Sequence, residues 1–180
     1  MIIDHKQISN KKYYTTHCNE VDYNMYDFIR YSDNHPKEYK QFIDHRKRLL
    51  LTAMELRPST PHFAKKIIKK LKNTFHKNEI SLQAFVGFTN DSESHSIHRD
   101  AMDVLYLQVI GNINWSIWES NSSEDAIEPD EGFCIFKKTL VPGDMIWIPR
   151  GTFHFIEPLT PRVGFSFGVE GTTDPCTYIK

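Results

Sequence analysis

In "HRDAMDVLYLQVIG", which begins at His98, an imidazole and a carboxylate stand two residues apart, at His98 and Asp100. Strand side chains alternate between faces, so on a strand this spacing aims both groups at one point. A second segment, "GDMIWIPRGTFHF" from Gly143 to Phe155, reads as a turn at Gly143-Asp144, a buried strand over 145–148, a turn over 149–151 and a new strand opened by His154. His154 is the candidate third ligand. Two imidazoles and one carboxylate on one face of a metal suit non-haem Fe(II), which keeps three positions open for other ligands and O₂. Zinc takes four ligands or three plus water, and nothing here resembles a cysteine-rich zinc site.

Such a triad needs a rigid frame, and the chain after residue 78 supplies a pattern for one. Short alternating or wholly apolar runs, broken by Gly, Pro, Asn and Asp, predict strands near 80–88, 94–98, 103–110, 113–119, 133–140, 144–148, 153–158 and 162–169. Eight short strands in succession point to a double-sheet jelly roll or barrel. The acidic stretch "ESNSSEDAIEPDEG" over 119–132 reads as a long loop. Upstream, the periodicity is helical. A helix is expected over 36–56, with apolar Tyr39, Phe42, Ile43, Leu49, Leu50 and Met54 and a cap at Asp33 or Asn34. A second is expected from Ser59 or Thr60 as cap and Pro61 in the first turn, with Phe63, Ile67, Ile68, Leu71 and Phe75 on one stripe. Its other face carries Lys65, Lys66, Lys69, Lys70 and Lys72.

The fold class is therefore mainly β with N-terminal helices. One integrated domain is expected: a basic helical region over 1–78, a barrel core over 79–170 and a tail over 171–180. Charge divides at the same place. Residues 1–78 hold sixteen Lys/Arg and eight Asp/Glu, net +8, and residues 79–180 hold six and fifteen, net −9. A basic half attracts nucleic acid or an acidic partner, and it equally describes a solvated helix face. No apolar run reaches the roughly 20 residues that span a bilayer. "MIIDHKQISNKKYY" builds no secretion-signal core, so no membrane partner and a cytoplasmic location are expected. The odd set of Cys18, Cys134 and Cys176 reads as reduced thiols.

The two ligand-bearing segments resemble a known family. Gly-Asp-x₄-Pro-x-Gly-x₂-His, from Gly143 to His154, closely matches the second cupin motif. His98-x-Asp100, followed by Gly111 and then Trp115, is similar to the JmjC-type branch of the 2-oxoglutarate- and Fe(II)-dependent oxygenases. The resemblance covers about residues 80–169. It implies a double-stranded β-helix in which His98, Asp100 and His154 hold Fe(II) and 2-oxoglutarate is the cosubstrate.

One position departs from the family pattern. JmjC enzymes commonly place Lys or Arg two residues after the glycine that matches Gly111, to pair with the distal carboxylate of 2-oxoglutarate, and this chain has Ile113. A buried carboxylate needs a cation or several donors. The substitute is Arg162 in "TPRVGFSFGV": on a strand Arg162, Gly164, Ser166 and Gly168 share one face, and Val163, Phe165 and Phe167 the other. Arg162 and Ser166 are similar to an Arg-x-Ser anchor with wider spacing, and arginine's planar fork suits a carboxylate. Tyr106 and Gln108 share the parity of Asp100 and are further candidate donors to the cosubstrate. His95 has the opposite parity and reads as a loop histidine. Of Trp115 and Trp118, one should fill the core.

The expected function is a 2-oxoglutarate-dependent Fe(II) dioxygenase, a hydroxylase of a protein side chain or RNA-associated target met through the basic N-terminal half. Two alternatives stand beside it: a cupin metalloenzyme that does not use 2-oxoglutarate, and a non-enzymatic cupin-fold module binding RNA or protein.

Overall fold

Alternating residues after position 80 bury two different faces, and the chain meets this demand with two antiparallel sheets. In the computed structural model, residues 12–33, 42–43, 48–53, 60–76, 79–89, 92, 94–118 and 134–169 are described. Three strands precede residue 60: β1 (Tyr14–His17), β2 (Phe42–Ile43) and β3 (Arg48–Ala53). Seven follow: β4 (Ser81–Gly87), β5 (Asp103–Ile110), β6 (Ile113–Trp118), β7 (Cys134–Leu140), β8 (Asp144–Ile148), β9 (His154–Pro158) and β10 (Arg162–Val169). The helices are α1 (Met25–Asp33) and α2 (His62–Phe75). The large sheet runs β1-β8-β5-β10-β4-β3-β2 and the small one β7-β6-β9. The architecture is a double-stranded β-helix.

Strand β10 lies at the centre and is buried along its whole length. Val163, Phe165 and Phe167 face a core shared with the helices, which supply Phe28, Tyr31, Phe63, Ala64, Ile67, Ile68 and Leu71. Each fully buried Val, Leu, Ile or Phe among them contributes about 1.5–3 kcal/mol. Across the sheet, Tyr106, Ile146 and Ile148 pack against Ile113, Trp115, Ile117, Leu140 and Ile156 of the small sheet. The cavity that contains the site opens between these layers.

The two helices arise in different ways. Helix α2 keeps the expected stripe, and Phe75 stacks on Trp147 at 5.3 Å. Its N-cap is Pro61, with no side-chain cap, instead of Ser59 or Thr60; a proline there lacks the N–H that would need a partner. Helix α1 was not expected from the sequence. Asn24 Oδ1 accepts from the backbone N–H of Tyr26 at 2.8 Å and of Asp27 at 3.2 Å, while Asp27 Oδ2 accepts from Asn24 N at 3.1 Å. That reciprocal capping closes the first turn.

Two expectations are corrected. The helix expected over 36–56 is not formed, because β2 and β3 occupy its middle. β3 pairs with β4 from Arg48↔Gly87 to Ala53↔Leu82 and satisfies a backbone edge that would otherwise be open. The strand expected over 94–98 reduces to a single bridge between His98 and His154. "SESHS" has few of the β-branched and aromatic residues that fill a pleated surface. The loop at 119–132 and the tail at 171–180 lie outside the described residues. Cys18 and Cys134 are free thiols, and Cys176 also lies outside the described residues. Among the described residues, no helix is long and apolar enough to cross a membrane.

Candidate metal centre

The isolated bridge is what assembles the triad. His98 N–H donates to His154 O at 3.1 Å, and His154 N–H donates to His98 O at 2.9 Å. The two imidazole centroids come to lie 4.4 Å apart. Asp100 is held from the other side, because its backbone oxygen accepts from Gly151 N–H at 2.9 Å. A positive φ at Gly151 turns the chain there. The neighbouring Arg150 N–H donates to Asp103 Oδ1 at 2.7 Å, fixing this turn to the start of β5. His98 and Asp100 therefore meet through a bridge and a turn, not through the alternation of a strand.

Donor accounting sets the tautomers. His98 Nδ1 lies 2.8 Å from Ser96 O and His154 Nδ1 lies 2.9 Å from Thr152 O. A carbonyl only accepts, so each Nδ1 carries hydrogen, and the neutral form of either ring holds its lone pair on Nε2. These Nε2 atoms stand 3.7 and 3.6 Å from the two oxygens of Asp100. The ligand atoms of all three residues lie within 4.8 Å of one another. Burial pushes His154 down to about 4, opposed by the Asp100 carboxylate, so its imidazole is neutral at physiological pH. Trp115 stacks on it with centroids 5.2 Å apart. The arrangement offers two imidazole nitrogens and one carboxylate oxygen to a divalent cation.

Further into the same cavity lie Arg162, Ser166 and Tyr106. Arg162 is only 1% exposed, and its Nε and Nη1 have no hydrogen-bond partner. Among the described residues, no carboxylate is in ion-pair contact with it. Tyr106 OH donates to Gln108 Oε1 at 2.9 Å, so its hydrogen is directed to a neighbour and not into the cavity. Ser166, opposite Tyr106 in the β10–β5 register, lines the floor. Ile113 is wholly buried in the core between the sheets.

Gly164 makes this wall possible. A Cβ at that position would stand 1.8 Å from the Tyr106 hydroxyl oxygen. Gly164→Ala should therefore cost about 1–3 kcal/mol of stability, as overpacking does. Urea unfolding checks this, and an unchanged midpoint would mean that Tyr106 has room to move.

His95 does lie in a loop, as expected, but it does not face away from the site. It lines the cavity, with its ring 5.3 Å from that of His98 and 6.4 Å from Phe85. Residue parity has no meaning in a loop, so the sequence held no signal for this placement. Ser81, Gln83 and Phe85 of β4 also line the cavity and were missed. Their alternation with buried Leu82, Ala84 and Val86 was the available clue. Trp115 is the tryptophan that fills the core, at 1% exposure.

Comparison with known proteins follows the same lines. Residues 59–175 match the family model described as the JmjC domain. Over 74 residues the chain is 32% identical to the bifunctional lysine-specific demethylase and histidyl-hydroxylase NO66 of Caenorhabditis elegans, a stretch covering 35% of this chain and 10% of that protein. The X-ray structure of E. coli ycfD superposes with a TM-score of 0.64 at 15% identity, covering 96% of this chain and 54% of that one. A structure of YcfD, a ribosomal oxygenase from Escherichia coli, in complex with cobalt and 2-oxoglutarate gives 0.61 at 17% identity, covering 93% and 51%. The chain thus spans about half the length of these structures and a tenth of the curated relative. At such identities the structural likeness is one of fold. The family match is broader, for it includes α2, β4 to β10 and all three candidate ligands, and on that ground the chain belongs to the JmjC-domain family.

Proposed function

We propose that the protein is a 2-oxoglutarate-dependent Fe(II) dioxygenase acting as a hydroxylase. The observation that carries this reading is the convergence of two unlike sites on one cavity: a three-ligand cluster and a buried guanidinium with unpartnered donors. Bound there, Fe(II) and 2-oxoglutarate would supply the oxidising chemistry. His98, Asp100 and His154 would hold the metal. Arg162 would take the distal carboxylate in place of the lysine that Ile113 replaces, and Ser166 would line its seat. A carboxylate is the complement that an otherwise costly buried cation calls for.

The substrate we propose is a protein side chain or RNA-associated target. In support, the relatives' names describe a histidyl-hydroxylase and a ribosomal oxygenase. The basic outer face of α2 fits an acidic surface of such a target. One of its lysines, Lys66, is already paired with Glu20 at 2.6 Å.

The test is turnover of labelled 2-oxoglutarate to succinate by purified protein with Fe(II) and ascorbate. Succinate formation that is lost in His98→Ala is expected. Metal uptake without affinity for 2-oxoglutarate would favour a cupin metalloenzyme of another kind, and absence of metal uptake would favour a binding module.

A further inference from the structure

Gln108 is wholly buried on β5 although it touches none of the three candidate ligands. Its side-chain amide has two unlike ends: a nitrogen with two hydrogens to give and an oxygen that only accepts. Nε2 donates to Ile110 O at 2.7 Å and to Gly111 O at 2.9 Å. Both hydrogens are committed. The reverse orientation would set Oε1 against two carbonyl oxygens, so the amide cannot turn over without losing both bonds.

This fixes the next link. Oε1 accepts the Tyr106 hydroxyl at 2.9 Å. A phenol has one hydrogen, and once it is given to Gln108 the Tyr106 oxygen offers only lone pairs to the cavity. Burial raises the Tyr106 phenol, and the charge of Arg162, which lines the same cavity, opposes this. Nε and Nη1 of Arg162 have no hydrogen-bond partner, so the guanidinium keeps donors for a ligand. Gly164 gives the phenol its seat, since any Cβ there would occupy the position of the hydroxyl.

We infer that Gln108 is a positioning residue for the cosubstrate: by fixing the direction of the Tyr106 hydroxyl hydrogen, it makes that oxygen an acceptor that pins one corner of Arg162 and aims the two free donors at a carboxylate. This rests on the reading of Arg162 as the carboxylate anchor. Tyr106 therefore acts on the cosubstrate through Arg162 and not as a direct donor. A guanidinium that is already oriented loses less freedom on binding than one that must first be ordered.

The experiment is a double-mutant cycle read by calorimetric titration of 2-oxoglutarate into Mn(II)-loaded protein without O₂. Gln108→Met keeps volume and removes both functions of the amide. It should weaken 2-oxoglutarate binding roughly tenfold, as loss of a bond that orients a charged group does. Tyr106→Phe should do the same. In the Tyr106→Phe background, Gln108→Met should cost nothing more, because its effect passes through the phenol. Steady-state assays should show a raised KM for 2-oxoglutarate with kcat at saturation little changed.

Equal losses in both backgrounds, or unchanged affinity in a folded Gln108→Met protein, would overturn the inference. If Gln108→Met does not fold, Tyr106→Phe alone decides: unchanged affinity there removes the link. Wild-type protein that binds Mn(II) but not 2-oxoglutarate would instead defeat the anchor reading itself, so the two failures are distinguishable.

Discussion

Arg162→Met is expected to make the ligand-free protein more stable and to weaken its affinity for 2-oxoglutarate strongly. The two effects have opposite signs because they come from one cause. Arg162 is 1% exposed, has two nitrogens without partners and meets no carboxylate among the described residues. A charge held in this way costs several kcal/mol of desolvation that only a bound anion would offset. Methionine fills similar volume without charge. The substitution should stabilise the metal-free fold by about 1–4 kcal/mol, which at roughly 2–4 °C per kcal/mol for a chain of this size is a clear rise in Tm.

Binding should move the other way. Truncating one partner of a buried charge pair costs about 2–5 kcal/mol, so the Kd for 2-oxoglutarate should rise by at least about thirtyfold. Arg162→Lys should lose most of the affinity too, because an ammonium lacks the planar fork that pairs bidentately with a carboxylate. Scanning calorimetry of the metal-free variant and titration of the Mn(II)-loaded one are the paired measurements. A fall in Tm would show that Arg162 is structural, and unchanged affinity would remove it as the anchor.

What the sequence showed of this site depended on the kind of element that carries each residue. On β10 a strict alternation separates Val163, Phe165 and Phe167 from Arg162, Gly164 and Ser166, and the two sets do face the helix core and the cavity. The stripe of α2 was legible for the same reason. Parity failed at His98 and Asp100, which meet through one bridge and a turn, so their convergence was foreseen for the wrong reason. At His95 the loop was legible and its place on the cavity was not.

Two N-terminal misses have different physical sources. The reciprocal pair Asn24 and Asp27 is a capping signal three residues apart and was readable. The Leu49–Leu51 run, by contrast, suits either period, and its pairing with β4 is a long-range event that no local pattern announces. Gln108 has a further reason for being hard to read. Its parity marked it as a candidate donor, but only the positions of the Ile110 and Gly111 carbonyls show that both its hydrogens are already committed.

His154→Leu should remove metal uptake and, in the metal-free protein, cancel part of the acid sensitivity of the fold. His154 is 3% exposed and burial holds it down to about 4, against a usual value of 6.5. Between these values the unfolded chain binds the proton and the folded one does not, so stability rises with pH across the window. Read downward, the wild-type protein stripped of metal should lose stability as pH falls from about 6.5 through about 4. Carboxylates titrate in the same range, so the quantity to compare is the slope of unfolding free energy in wild type against His154→Leu. The variant should be flatter. An equal slope would show that the imidazole is not held neutral by its burial. The same pair of proteins reports on the metal. Co(II) or Mn(II) at about 100 times its Kd should stabilise wild type by about 2.7 kcal/mol, or roughly 5–10 °C in Tm. In His154→Leu that shift should vanish, because His98 and Asp100 alone offer one nitrogen and one carboxylate. A shift that persists undiminished would place the metal elsewhere and separate His154 from the ligand set.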